Sequence, residues 1–86
     1  MPRLSDSLVC IDIEDHLLVH VPETRTIVLL NSSAKRVTEF CDGVTPFSKV
    51  VRELASEWET NLDEVEPDLR EVICDFIKKK IAKYDG

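Results

Sequence analysis

Glycine is almost missing from this sequence, which holds two glycines and four prolines in 86 residues. Gly43 and Gly86 stand far apart, so there is no glycine-rich loop to cradle a phosphate. Cationic excess is missing as well. Eleven Lys and Arg face seventeen Asp and Glu, and a formal net charge of −6 repels phosphate backbones, which excludes non-specific nucleic-acid binding. No apolar run reaches the roughly 20 residues of a membrane span, and no basic start precedes an apolar segment as in a secretory signal. The chain is therefore expected in the cytoplasm, away from membranes. Cysteine is sparse and odd in number: Cys10, Cys41 and Cys74 lie far apart with no Cys-x-x-Cys, a pattern of reduced, buried thiols and not of a disulfide framework or zinc clasp. What is abundant is ordinary for a globule, with 43% hydrophobic and 33% charged residues, and this excludes disorder and fibre. A chain of this length forms one domain, residues 1–86, and buries only about 60–65% of its unfolded surface. That leaves few residues for a deep catalytic cavity.

The hydrophobic period changes once along the chain. Over 8–13 the run LVCIDI alternates, with Val9, Ile11 and Ile13 on one face and Cys10 and Asp12 on the other. Glu14-Asp15 makes a turn, and 16–21 alternates again, with Leu17, Val19 and Val21 on one side and His16, Leu18 and His20 on the other, until Pro22 ends the strand. A third strand over 25–30 (RTIVLL) is apolar on both faces, so both should be covered. From residue 32 the period is helical. Asn31 and Ser32 cap a helix over 32–41, closed by Asp42-Gly43. Thr45 with Pro46 at the first helical position opens a second helix, 46–58, whose apolar face runs from Phe47 to Trp58. A third helix, 63–82, carries the stripe Val65, Leu69, Val72, Ile73, Phe76, Ile77 and Ile81, with acid at its start and Lys78, Lys79, Lys80 and Lys83 at its end. Pro67 allows either a start near Asp63 or Glu64, or a short turn at 62–65 and a restart at Glu66. The expected fold class is α+β, strands then helices in the order βββααα.

Chemistry is thin. His16 and His20 share a strand face and Asp12 sits in the facing strand, the one grouping reminiscent of a metal site, but polar residues alternating on an exposed sheet face are the ordinary reading. With no metal, cofactor or catalytic residue identified, no enzymatic role is expected. The lysine cluster at 78–80 reads as the solvated end of a helix, and Trp58 as core. The third strand is more informative. In a meander it is an edge, and from Thr26 to Leu30 it has no Lys, Pro or inward charge to blunt it. Such an edge is either covered by helices, completed by an added peptide strand, or paired with a second copy in a homodimer.

The run TIVLLNSSAKRVTEFCDGVTPFSKVVRELASEW, followed by an acidic segment and a final amphipathic helix, resembles the PqqD family of pyrroloquinoline quinone biosynthesis D proteins and related precursor-peptide recognition elements, including leader-binding proteins of lasso-peptide pathways. The motif is carried by Leu30-Asn31, Ala34, Cys41-Asp42-Gly43, Thr45, and Val50 to Leu54. The resemblance implies a winged helix-turn-helix that does no chemistry itself. It would bind the leader of a ribosomally made precursor peptide and present it to a modifying enzyme or leader peptidase. In the family the leader lies as an extra strand on the third strand, against the last helix. Here that implies Arg25, Thr26, Ile27, Val28, Leu29 and Leu30 on the strand side. On the helix side it implies some of Leu69, Val72, Ile73, Phe76, Ile77 and Lys80. Basic residues Arg25 and Lys78–Lys80 would attract acidic leader residues. Two other uses of the chain compete with this one: a DNA-binding regulator, disfavoured because the second helix sets Lys49 and Arg52 against Glu53 and Glu57, and a structural subunit of a larger enzyme.

Overall fold

The computed structural model describes residues 1–84; the last two positions of the expected domain, 85–86, lie outside the described residues. Three strands, β2 (Val9–Ile13), β3 (His16–Val21) and β4 (Thr26–Leu30), form an antiparallel sheet in the order β2-β3-β4. Helices α1 (Ser32–Thr38), α2 (Phe47–Glu57) and α3 (Leu62–Lys78) follow. This is the expected α+β order. A ribbon not foreseen from the sequence is added to it: β1 (Arg3–Leu4) pairs antiparallel with β5 (Ala82–Lys83), Arg3 opposite Lys83 and Leu4 opposite Ala82.

The sheet turns one face to the helices. Leu17, Val19 and Val21 of β3 and Leu30 of β4 are buried, and they join Val37 of α1, Val50, Val51, Leu54 and Ala55 of α2, and Val65, Leu69, Ile73 and Phe76 of α3 in one apolar cluster. The register places Cys10 opposite Val19 and Asp12 opposite Leu17, so β2 offers a thiol and a carboxylate to this inner face. Its alternating aliphatics Val9, Ile11 and Ile13 pair with His20, Leu18 and His16 and point outward. The two faces expected for the third strand also part company: Leu30 is buried and Val28 half-buried, while Ile27 and Leu29 are exposed and uncovered. Asp12 uses its position at the margin to hold Lys35 of α1 at 2.9 Å. Every residue of β2 is exposed, because the helices pack chiefly over β3 and β4.

Helix limits follow from local chemistry. The Asn31 side chain accepts a hydrogen bond from Ala34 N–H at 2.9 Å and opens α1. The helix stops at Thr38, short of the expected 41, and continues as tight turns in which Phe40 and Cys41 N–H donate to Val37 and Thr38 carbonyls. Thr45 does not cap α2. Its N–H and that of Val44 donate to the Asp42 carboxylate at 2.8 and 2.9 Å, its hydroxyl bonds the other carboxylate oxygen, and Pro46 takes the N-cap position. These bonds hold Asp42 well below the usual carboxylate pKa. At the start of α3, regular helix runs from Leu62 through Pro67, one residue ahead of the expected start and without a restart at Glu66. The missing Pro67 N–H leaves only the Asp63 carbonyl unpaired, and Asp63 is exposed to water.

Helix α3 ends at Lys78 although the apolar stripe continues to Ile81. Lys80 takes a left-handed φ of 62°, its N–H donates to Ile77 O at 3.2 Å, and Ile81 N–H donates to Phe76 O at 2.9 Å. These two bonds define a Schellman close, with buried Ile81 folding back on buried Phe76. Helix α2 closes in the same way: Glu59 has φ 52°, and Thr60 N–H donates to Ala55 O at 2.9 Å. Ile81 is thus core as its spacing implies, but it reaches the core from a turn that launches β5 beside β1.

The glycine shortage returns here as backbone strain. Glu14, Arg25, Glu59 and Lys80 all occupy the left-handed region that glycine would fill without penalty. Non-glycine residues there cost about 1–2 kcal/mol, against about 0.5–1 kcal/mol of extra unfolded-state entropy for glycine. Glu59→Gly and Lys80→Gly should therefore each stabilise the fold by about 0.5–1 kcal/mol, read as a Tm rise of several degrees in thermal unfolding. Asp42 makes an acid-side prediction. A carboxylate whose folded pKa is depressed adds stability above its unfolded value of 3.8, and that stability is lost as pH falls through the lower folded value. Asp42→Ala should lower Tm at pH 6, and the gap to the unmodified chain should close progressively below pH 3.8.

Candidate peptide-binding groove

Strand β4 is an edge of the sheet, and among the described residues its uncharged stretch from Thr26 to Leu30 pairs with β3 alone. An antiparallel edge directs the N–H and C=O of alternate residues outward, so this strand offers unpaired donors and acceptors in a row. The edge ends at a surface groove of about 480 Å³. Leu30 from β4, Ala34 from the first turn of α1, and Val72 and Phe76 from α3 provide its apolar surface. A hollow of about 200 Å³ shares Asp68 and Val72 with it and continues between α1 and α3 to Trp58. Trp58 is not core: it is 38% exposed at the C-cap of α2 and closes that end of the channel.

The rim is charged. Asp68, Glu71, Asp75 and Lys78 recur at helical spacing and line the groove along one side of α3. Asp75 is paired with Lys79 at 3.0 Å, whereas neither Asp68 nor Glu71 has an ion pair among the described residues. The expected basic lip is therefore reduced to Lys78. Lys79 is engaged, Lys80 sits in the left-handed turn beyond the helix with its carbonyl accepting from the Ser5 hydroxyl, and Arg25 lies in the β3–β4 turn and not in the strand.

The residues expected on the helix side divide accordingly. Val72 and Phe76 line the groove together with Leu30. Leu69 and Ile73 are core, with Leu69 also touching the side channel, and Ile77 is half-buried against the core away from the groove. On the strand side Thr26, Ile27 and Leu29 are exposed, and Val28 is half-buried on the inner face beside Leu30. The groove residues missed were Ala34, Asp68, Glu71, Cys74 and Asp75, whereas Lys78 was expected there as part of the basic lip. A signal for them existed: positions 68, 71, 72, 75 and 78 form a row beside the buried 65-69-73-76 stripe, and the row turns outward at the boundary of the apolar face.

The suspected histidine grouping does not assemble. His16 and His20 are on the outer sheet face, His16 bonded to Asp15 at 2.9 Å, while Asp12 is on the inner face with Lys35. Among the described residues no cluster of His, Cys, Asp or Glu has the grouping of a metal site, and no helix is long and apolar enough to cross a membrane. The thiols correct another expectation, because Cys10 and Cys74 are exposed and only Cys41 is buried. Burial pushes the Cys41 thiol up to about 11.

Residues 16–82 match the family model described as coenzyme PQQ synthesis protein D (PqqD). The whole fold is similar to a solved structure described as TbiB1 in complex with the TbiA(beta) leader peptide, with a TM-score of 0.85 over 98% of each chain at 20% identity. None of the curated proteins matches the chain. Alkylation of the native protein at neutral pH should label Cys10 and Cys74 and spare Cys41 until the chain is unfolded, as read by intact mass. Rapid labelling of all three thiols would contradict the buried position of Cys41.

Proposed function

Since the chain belongs to the PqqD family, we propose that it is a non-catalytic recognition domain that binds the leader segment of a ribosomally made precursor peptide and presents it to a modifying enzyme or leader peptidase. The observation that carries this reading is an open, uncharged β4 edge that runs into an apolar groove. The leader adds as a fourth strand on Thr26–Leu30. Side chains on its inner face then enter the groove between Leu30, Ala34, Val72 and Phe76. The complex of the structurally similar TbiB1 with a leader peptide supports the same use.

The energetics suit an adaptor. Main-chain bonds contribute about 0.5–1.5 kcal/mol each whatever the leader sequence, so most discrimination rests on one or two apolar anchors in the groove. Unpaired Asp68 and Glu71 favour a basic leader residue on the α3 side, opposite to the acidic preference that the lysine cluster alone implies. No cofactor takes part, and the work is done in the cytoplasm, where precursor peptides are made. A nucleic-acid role is disfavoured by the net charge of −6 and by the near-neutral exposed face of α2.

The test is titration of the full chain with a synthetic leader from a short precursor peptide encoded beside its gene, by calorimetry. Saturable one-to-one binding is expected, and its absence would remove the adaptor role in favour of a structural subunit. Proline variants address the edge. Positions 28 and 29 alternate, so one N–H serves β3 and the other faces outward. One of Val28→Pro and Leu29→Pro should therefore keep the fold and weaken the leader by about 10- to 100-fold, the value of one or two lost main-chain bonds. Unchanged affinity in the variant that keeps the fold would exclude strand addition.

A further inference from the structure

The composition of β4 does not match its position. Ile27, Val28, Leu29 and Leu30 form a continuous apolar run, the pattern of a strand covered on both faces, yet β4 lies at the edge of the sheet. Its inner face is accounted for by the core and the groove, through Leu30 and half-buried Val28. Its outer face is not. Ile27 and Leu29 are 65% and 59% exposed, and the rest of the outer sheet face is formed by Leu18, His16 and His20 of β3 and by Val9, Ile11 and Ile13 of β2. The one charged residue of the three strands, Asp12, is on the other face with Lys35.

Cover on this face comes from neighbouring strands, since the helices pack on the opposite side. Leu18 shows the effect. It pairs with Ile11 on one side and Leu29 on the other and is half-buried without a helix above it, while His20, opposite the first residue of β2, is exposed. Leu29 and Ile27 have, among the described residues, a cross-strand neighbour on one side alone. Resting on the reading of β4 as the edge that takes the leader, we infer that the leader is selected on both faces of its strand: two outward side chains, at positions i and i+2, pack beside Ile27 and Leu29 and are apolar.

Alternation identifies the occupant. Residues directly opposite one another in a strand pair project to the same face, with Cβ atoms about 4.5–5.5 Å apart. Whatever register a fourth strand takes, its residues opposite Thr26, Val28 and Leu30 therefore point toward the helices, and those opposite Ile27 and Leu29 point outward. The outer contact is thus continuous with the edge contact and is made by the same peptide. β-Branched and aromatic side chains suit it best, because they form the favourable cross-strand pairs with aliphatic residues. A charged side chain would lie on aliphatic surface with no opposite charge supplied by the strands. The segment recognised is consequently a short run of consecutive apolar residues facing 27–30, and not a strand that alternates apolar with charged. Ile27 and Leu29 determine specificity at the outward positions as Val72 and Phe76 do at the inward ones.

Calorimetric titration of the full chain with the synthetic leader encoded beside its gene, and with an alanine scan of that peptide, tests the inference. Alanine should weaken binding at consecutive positions, by about 2- to 5-fold at each outward one. Ile27→Thr and Leu29→Thr keep strand-forming side chains at exposed sites, so circular dichroism should be unchanged while the unmodified leader binds about 2- to 5-fold more weakly to each. Alanine at the leader position facing Leu29 should cost little further in Leu29→Thr, the coupling expected of a direct pair. Losses at every second leader position only, or full affinity in both threonine variants, would overturn the inference and leave the outer face to another partner, with leader binding itself intact. Failure of the unmodified leader to bind would instead remove the adaptor role, and this inference with it, so the two failures are distinguishable.

Discussion

Val19 and Val21 in the central strand, with Leu17 and Leu30, close against Val37, Leu54, Phe76 and Ile81 from the helical side, and the rest of the molecule is arranged around that contact. The supply of helix is its limit. Three helices of 7, 11 and 17 residues cover β3 and the end of β4 and stop there. Beyond that boundary the sheet has, among the described residues, two edges and one whole face without intramolecular cover. In a larger domain additional elements would fill those positions; at 86 residues they remain surface.

The boundary of the core is also where the groove forms. Phe76 packs inward yet shows one side to the groove, Val72 stands one position further round α3, and the acidic row begins immediately beyond. A helix that must seal a core with one stripe and border a cleft with the next has no apolar residues left for a deep pocket. What results is a shallow, open channel bordered by a strand edge. The ribbon of β1 and β5 lies beyond the end of α3. It fixes the chain leaving α3, and the amino terminus is tied to the Thr45 carbonyl at 2.6 Å.

Much of this was legible in the sequence. The single change of period separated sheet from helices, Asn31 announced α1, and the acid-to-base gradient of α3 gave its direction. The edge character of β4 followed from its order in a meander and its lack of charge. Errors cluster where a local rule has two solutions. Ile81 at helical spacing is satisfied equally by a longer helix or by a Schellman close, and left-handed Lys80 settles it. Alternation in β2 separates two faces without saying which is inward, and a register opposite β3 that sets Asp12 beside Leu17 decides it against hydrophobicity.

By itself the sequence determined the elements, their order and the presence of an unguarded apolar strand, because capping, period and charge act over a few residues and need no partner. Only the tertiary structure decided which apolar residues became core and which became surface. Val9, Ile11, Ile13, Ile27 and Leu29 are as hydrophobic as Val19 and Leu30 and differ from them only in which side of the sheet the helices reach. The shortage of glycine had its physical meaning decided there too. In the sequence it excluded a phosphate loop, and in the fold it obliges Glu14, Arg25, Glu59 and Lys80 to make left-handed turns, since a chain this compact must reverse direction whether or not glycine is present.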